Sequence, residues 1–336
     1  MRQRRTRTES MVQRFARTAI SEGFDLWDKD YLLGAMRLFL FKGETAPPFQ
    51  VGPCMDATGE ILMQMEEYED AAEQFTLAAE KYALIQRHDM AQLMRIKAAE
   101  CTQGPEEALR QVTAYISEQR EMTPALARAH AYHAQLLLKT AKDVGAVAPE
   151  AVAAARLACD NCWDRVHVAH LTLGDALCAA GRPSEGCEEY VRAVEANGNC
   201  MAALERHMSV LRARLRDATD EAVQGGLRSD LLQLLDAAIA LHPRPALLRE
   251  KAFLLSETAG DAAALAFLDP LIRHPPPEEA DAAAAHTVAT LLKAKAAILA
   301  DSGSMGEALA AAEAALRESP GDEEAAAIVA EIQQSV

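Results

Sequence analysis

The chain has 336 residues, half of them apolar, and a formal net charge of −16. That length can bury a continuous core, and that charge disfavours a phosphate backbone as partner. No run of ~18 apolar residues would cross a bilayer, and the seven cysteines at irregular spacing read as reduced, buried thiols rather than a disulfide framework.

Aromatic residues make up only 5 %, and alanine, leucine and glutamate dominate, which is the chemistry of helices. In chain order, residues 1–15 form a basic extension, with Arg2, Arg4, Arg5, Arg7 and Arg14 against Glu9 alone. A first repeat starts near Ala16 and carries Gly23, Ala35, Phe39 and Pro47. A second starts near Gly52, with Gly59, Leu62, Tyr68, Ala71, Phe75 and Ala78. A third pairs the helix around Met90–Glu100 with that around Pro105–Gln119, turning at Gly104. A fourth pairs Pro124–Lys142 with Pro149–Asp160 across an Asp143–Ala148 loop. A fifth starts near His167, with Leu173, Gly174, Leu177, Gly181, Gly186, Tyr190 and Ala193. The sixth pairs Met201–Asp217 with Gly226–Leu241, and the seventh pairs Pro245–Thr258 with Asp261–Ile272. These seven repeats fill residues 16–273. Residues 274–288 read as a proline-rich linker, 289–322 as a last repeat with Ala296, Leu299, Gly303, Ala308, Ala315 and Pro320, and 323–336 as a capping helix.

Small residues recur where two helices must cross closely, an aromatic follows at a fixed distance, and proline closes the unit because it cannot continue the helix. This pattern resembles the tetratricopeptide-repeat family, whose period is about 34 residues. The resemblance implies an all-α fold: a right-handed superhelical solenoid of antiparallel helix pairs, with about eight repeats and a C-terminal capping helix. It implies the function of a protein–protein interaction scaffold or adaptor, holding a partner segment on its concave face. In this family the concave face is built by the first helix of each repeat. The matching positions here are Phe24 and Trp27 in the first repeat and Asp56, Glu60 and Met63 in the second. The expected partner is therefore a protein or peptide with apolar residues beside Lys or Arg. A competing reading packs Phe24 and Trp27 beneath the basic N-terminal segment. The family subclass that clamps a C-terminal carboxylate uses lysine, asparagine and arginine where this chain has Ile20, Phe24, Ala57, Met90 and Met94, so that clamp is not expected.

The sequence carries no Gly-rich phosphate loop, nucleophile elbow, zinc-protease motif or calcium loop. We therefore expect no enzyme, no cofactor, no small-molecule substrate and no membrane span, and nucleic acid is disfavoured. Cys159, Cys162, His167 and His170 have donor types that zinc accepts, but the repeat register assigns them to packing, so no metal is expected. A cytoplasmic setting is the expectation. The Arg-rich, acid-poor start resembles a transit peptide and gives the alternative: a mitochondrial helical-repeat protein, acting as an organellar assembly factor or associated with RNA.

Overall fold

The computed structural model describes residues 11–162, 164–276 and 281–335, and every regular element among them is an α-helix. The chain divides into two compact units, residues 1–206 and 207–336. The first unit holds five consecutive helix pairs: α1 (Met11–Asp28) with α2 (Leu32–Thr45), α3 (Pro48–Gln64) with α4 (Tyr68–Leu84), α5 (His88–Gln103) with α6 (Pro105–Glu118), α7 (Pro124–Thr140) with α8 (Val144–Asn161), and α9 (Val166–Ala179) with α10 (Pro183–Ala196). The division falls inside α11 (Met201–Asp217). The second unit continues with α12 (Glu221–Leu241), the pair α13 (Pro245–Ala259) and α14 (Asp261–Arg273), the pair α15 (Asp281–Asp301) and α16 (Met305–Glu318), and α17 (Glu323–Ser335).

Local chemistry sets these boundaries. Proline occupies the opening positions of α3, α6, α7, α10 and α13, where its missing N–H would have had no helical acceptor. Thr123, Asp143, Asp220 and Asp322 accept side-chain hydrogen bonds from amides of the first turns of α7, α8, α12 and α17, satisfying donors that a helix start leaves unpaired. Gly104 (φ 94°, ψ 166°) and Gly260 (φ 89°, ψ 161°) make the α5–α6 and α13–α14 turns in a region that essentially only glycine enters.

In three of the repeats, the second helix aims a ring at a glycine of the first. A Cβ placed on Gly23 would lie 2.9 Å from the Phe39 ring, one on Gly59 2.7 Å from Phe75, and one on Gly174 2.5 Å from Tyr190. Phe39 and Phe75 are fully buried and Tyr190 is 2 % exposed. At Gly174 the Gly186 carbonyl oxygen also stands 3.1 Å from the added carbon, so backbone as well as ring blocks it. Gly174→Ala should therefore cost about 1–3 kcal/mol by overpacking, read as a lower denaturant midpoint. An unchanged midpoint would show that the crossing can widen freely.

The structure corrects three boundaries. The expected Asp143–Ala148 loop is not a loop: α8 starts at Val144, with Pro149 inside it. Asp143 caps the helix, and Pro149 removes one N–H donor, that to the Gly145 carbonyl, without ending the helix. Helix α12 starts at Glu221 rather than at Gly226, behind the Asp220 cap. The stretch 274–288 is not linker throughout, because the alanine-rich α15 begins at Asp281; residues 277–280 lie outside the described residues. Of the basic extension, residues 1–10 also lie outside them, while α1 already includes Met11–Phe15.

The second unit has its own core around Leu248, Leu268, Leu291 and Ile298. Its last helix is held on α15 by Lys293, whose Nζ lies 2.7 Å from Asp322 and 2.6 Å from Glu324.

Candidate partner-binding site

The first helices of the five pairs, α1, α3, α5, α7 and α9, together with the start of α11, line a cavity of about 300 Å³ in the first unit. Its floor is aromatic. Phe24 and Trp27 sit one helical turn apart on α1, so they share a face, and Phe39 of α2 backs both, with ring centroids at 4.9 and 6.5 Å in edge-on arrangement. The Trp27 indole N–H donates to Gln64 Oε1 at 3.1 Å.

The walls are charged and internally paired. Lys97 of α5, 8 % exposed, places Nζ 2.8 Å from Asp56 Oδ1 and also pairs with Glu60. Arg128 of α7 reaches the other Asp56 oxygen at 3.2 Å and pairs with Asp164 as well. Burial pushes the Asp56 carboxyl up, but Lys97 and Arg128 outweigh it and hold the group below the usual carboxylate range. Burial likewise pulls Lys97 down, and the Asp56 and Glu60 carboxylates more than reverse that. Next to this set, Tyr132 donates its hydroxyl to the buried Glu100, which Lys139 also reaches at 2.7 Å.

A third cation comes from the α8–α9 connection. The Arg165 guanidinium lies over Phe24 and Trp27, 4.9 and 4.3 Å from their ring centroids, and pairs with Asp28 at 3.0 Å. Asp28 also takes His167 Nε2 at 3.3 Å and the Asn197 amide at 2.7 Å, and Asn199 donates to Asp25. Burial raises the Asp28 carboxyl, but His167, Arg165 and Asn197 together lower it. The end of α1 is thereby tied to the start of α9 and to the α10–α11 turn, across sequence separations of 137 to 174 residues.

Four of the five expected residues, Phe24, Trp27, Asp56 and Glu60, line this cavity. Met63 does not; it packs partly buried against the core cluster that contains Phe75 and Leu93. Asp56 and Glu60 are not open carboxylates, since Lys97 and Arg128 engage them. Lys97, Arg128, Arg165 and Asp28 were not expected at the site. Lys97 had a signal, lying three residues after Met94 on the inner side of α5. Arg165 had none, because it belongs to a turn.

Three of the four zinc-type side chains have partners outside the set. Cys162 Sγ donates to the Asp164 carbonyl at 2.7 Å, His167 faces Asp28, and His170 Nδ1 lies 2.7 Å from Glu189 and 3.9 Å from Cys159. Burial pushes the Cys159 thiol up to about 12, well above the range of an activated nucleophile. Among the described residues no group of three or more His, Cys, Asp or Glu side chains is disposed to hold a metal ion.

No protein-family profile matches the chain, and no curated protein does. Solved structures do match. The chain is similar to the anaphase-promoting complex hetero-tetramer Cut9–Hcn1, at 14 % identity and TM-score 0.51, covering 96 % of this chain and 57 % of that one. It thus spans little more than half the length of that relative. It also matches the type IV pilus biogenesis factor PilW (13 % identity, TM-score 0.45, 72 % of this chain and 99 % of that one). A further match is a thermophilic tetratricopeptide-repeat protein of Thermus thermophilus (16 % identity, TM-score 0.35, 73 % of this chain and 99 % of that one). With successive helix pairs in both units and a small residue opposite a buried ring in three of them, the chain has the tetratricopeptide-repeat fold.

Proposed function

We propose that the protein is an interaction scaffold whose first unit holds a partner segment in the cavity between its inner helices. The observation that carries this reading is the convergence of five successive first helices on one cavity with an aromatic floor. Tandem helix pairs characteristically present such concave surfaces to partners, and aromatic anchors are enriched among residues that dominate binding. A volume of about 300 Å³ stands at the lower end of ligand sites, ~300–1,000 Å³. It takes one or two side chains of a segment lying along the inner face rather than a whole helix. Six carboxylates against three Lys or Arg side chains line it, so the field inside favours a segment with a basic residue beside apolar ones.

Gln135 of α7 lines the cavity and is exposed, and a bulky residue there blocks the space while giving up one hydrogen bond, to Thr172 Oγ1 at 3.0 Å, whose hydroxyl keeps the Val168 carbonyl. Peptides selected from a displayed random library on the full chain should bind the wild type and lose at least about tenfold in affinity, ~1.4 kcal/mol, with Gln135→Trp at an unchanged melting temperature. Selected peptides indifferent to Gln135→Trp would place binding elsewhere and overturn the reading.

A further inference from the structure

We infer that Phe24, Trp27 and Asp28 form a guanidinium cage which Arg165 of the chain itself fills, and for which an arginine of the partner segment competes. The inference rests on the cavity being a peptide site and names what that site recognises.

A guanidinium is bound best by an aromatic face together with a carboxylate that accepts its fork of N–H groups. The cage supplies both: two ring faces within 5 Å of the Arg165 Cζ, inside the ~6 Å reach of a cation–π contact, and Asp28 at 3.0 Å. Several features mark Arg165 as an occupant that can be exchanged. Its backbone is left-handed, φ 47°, ψ 43°, a conformation disfavoured for any residue with a Cβ. One guanidinium nitrogen, Nη1, is buried with no hydrogen-bond acceptor, so the fork is not fully used. Arg165 sits at the N-cap of α9, where its carbonyl accepts from the Val168 amide at 2.9 Å, so the guanidinium leaves the cage by side-chain rotation with that backbone in place. Asp28 keeps His167 and Asn197 when Arg165 leaves. The cavity opens directly beside the cage, since all four residues line it, and its excess of carboxylates attracts a second cation and repels an anion.

The test is calorimetric titration of the full chain with acetyl-Leu-Arg-Leu-amide and with its citrulline counterpart, which has the same shape without the charge. Arg165→Ala should bind the arginine peptide at least about tenfold more tightly than the wild type does, with no such gain for citrulline. Arg165→Lys, which refills the cage with a cation, should stay near wild-type affinity. It also supplies the folded comparison if Arg165→Ala proves unstable, because Arg165→Gln should then show the same gain over Arg165→Lys. Equal or weaker binding of the arginine peptide by the emptied variants, or an equal gain for citrulline, overturns the cage. Library-selected peptides that still respond to Gln135→Trp while the arginine peptide does not respond to Arg165 remove the cage and leave the cavity reading intact. Indifference to Gln135→Trp removes the cavity reading whatever Arg165 does.

Discussion

Lys97→Met should destabilise the first unit by about 3–5 kcal/mol, the usual consequence of removing one partner from a buried ion pair. Lys97 is held between Asp56 and Glu60, and its loss leaves Asp56 at 10 % side-chain exposure with Arg128 alone. The cost arises from a carboxylate stranded away from water rather than from the lost attraction, so Asp56→Leu combined with Lys97→Met should recover much of it. Denaturant midpoints of the single and double variants check both points; a loss below about 1 kcal/mol in Lys97→Met would mean that water reaches the pair. The same pair sets a pH window. Asp56 titrates lower when folded, so its contribution is complete above the unfolded carboxylate pKa, about 3.9, and is lost as pH falls through the lower native value. Lys97 titrates higher when folded, so its contribution is complete below about 10.4 and is lost as pH rises through the higher native value.

Phe39→Ala should cost about 3–5 kcal/mol and weaken peptide binding with it. Phe39 is fully buried, fills the space left by Gly23, and supports Phe24 and Trp27 from behind. Removing the ring leaves a void under the cavity floor, into which Phe24 can turn and so withdraw from the cavity. The two effects separate by measurement: the melting temperature reports the void, and titration with a selected peptide at a temperature where the variant is folded reports the floor. Full affinity in a folded Phe39→Ala protein would show that Phe24 and Trp27 hold their positions through Gln64 and Arg165 instead.

The fold was legible because its packing rule is local. Gly23, Gly59 and Gly174 each precede their ring by the same number of residues, and helix geometry turns that spacing into one crossing, whatever the intervening side chains. The start of α8 was not legible, because a proline that usually ends a helix stands inside this one, behind a good cap. Phe24, Trp27, Asp56 and Glu60 were legible as inner-face residues, since register alone places them. Their state was not. Whether Asp56 stands open or paired depends on Lys97 and Arg128, 41 and 72 residues further along the chain, and the third and fourth repeats carry too few signature residues to fix their register. Met63 shows the converse limit: a nominal inner-face position whose flexible side chain finds a better apolar neighbour in the core.

The ties that Asp28 and Asp25 make to Arg165, His167, Asn197 and Asn199 change how the first unit comes apart. An open stack of helix pairs is close to one-dimensional: its end pair has one neighbour and frays first. Here the opening pair has a second neighbour, supplied by the fifth pair, so neither behaves as a loose terminus. Amide exchange in the last turn of α1 should then follow that in the first turn of α9, and Asp28→Ala should release both together, turning one cooperative opening into stepwise peeling from the α1 end.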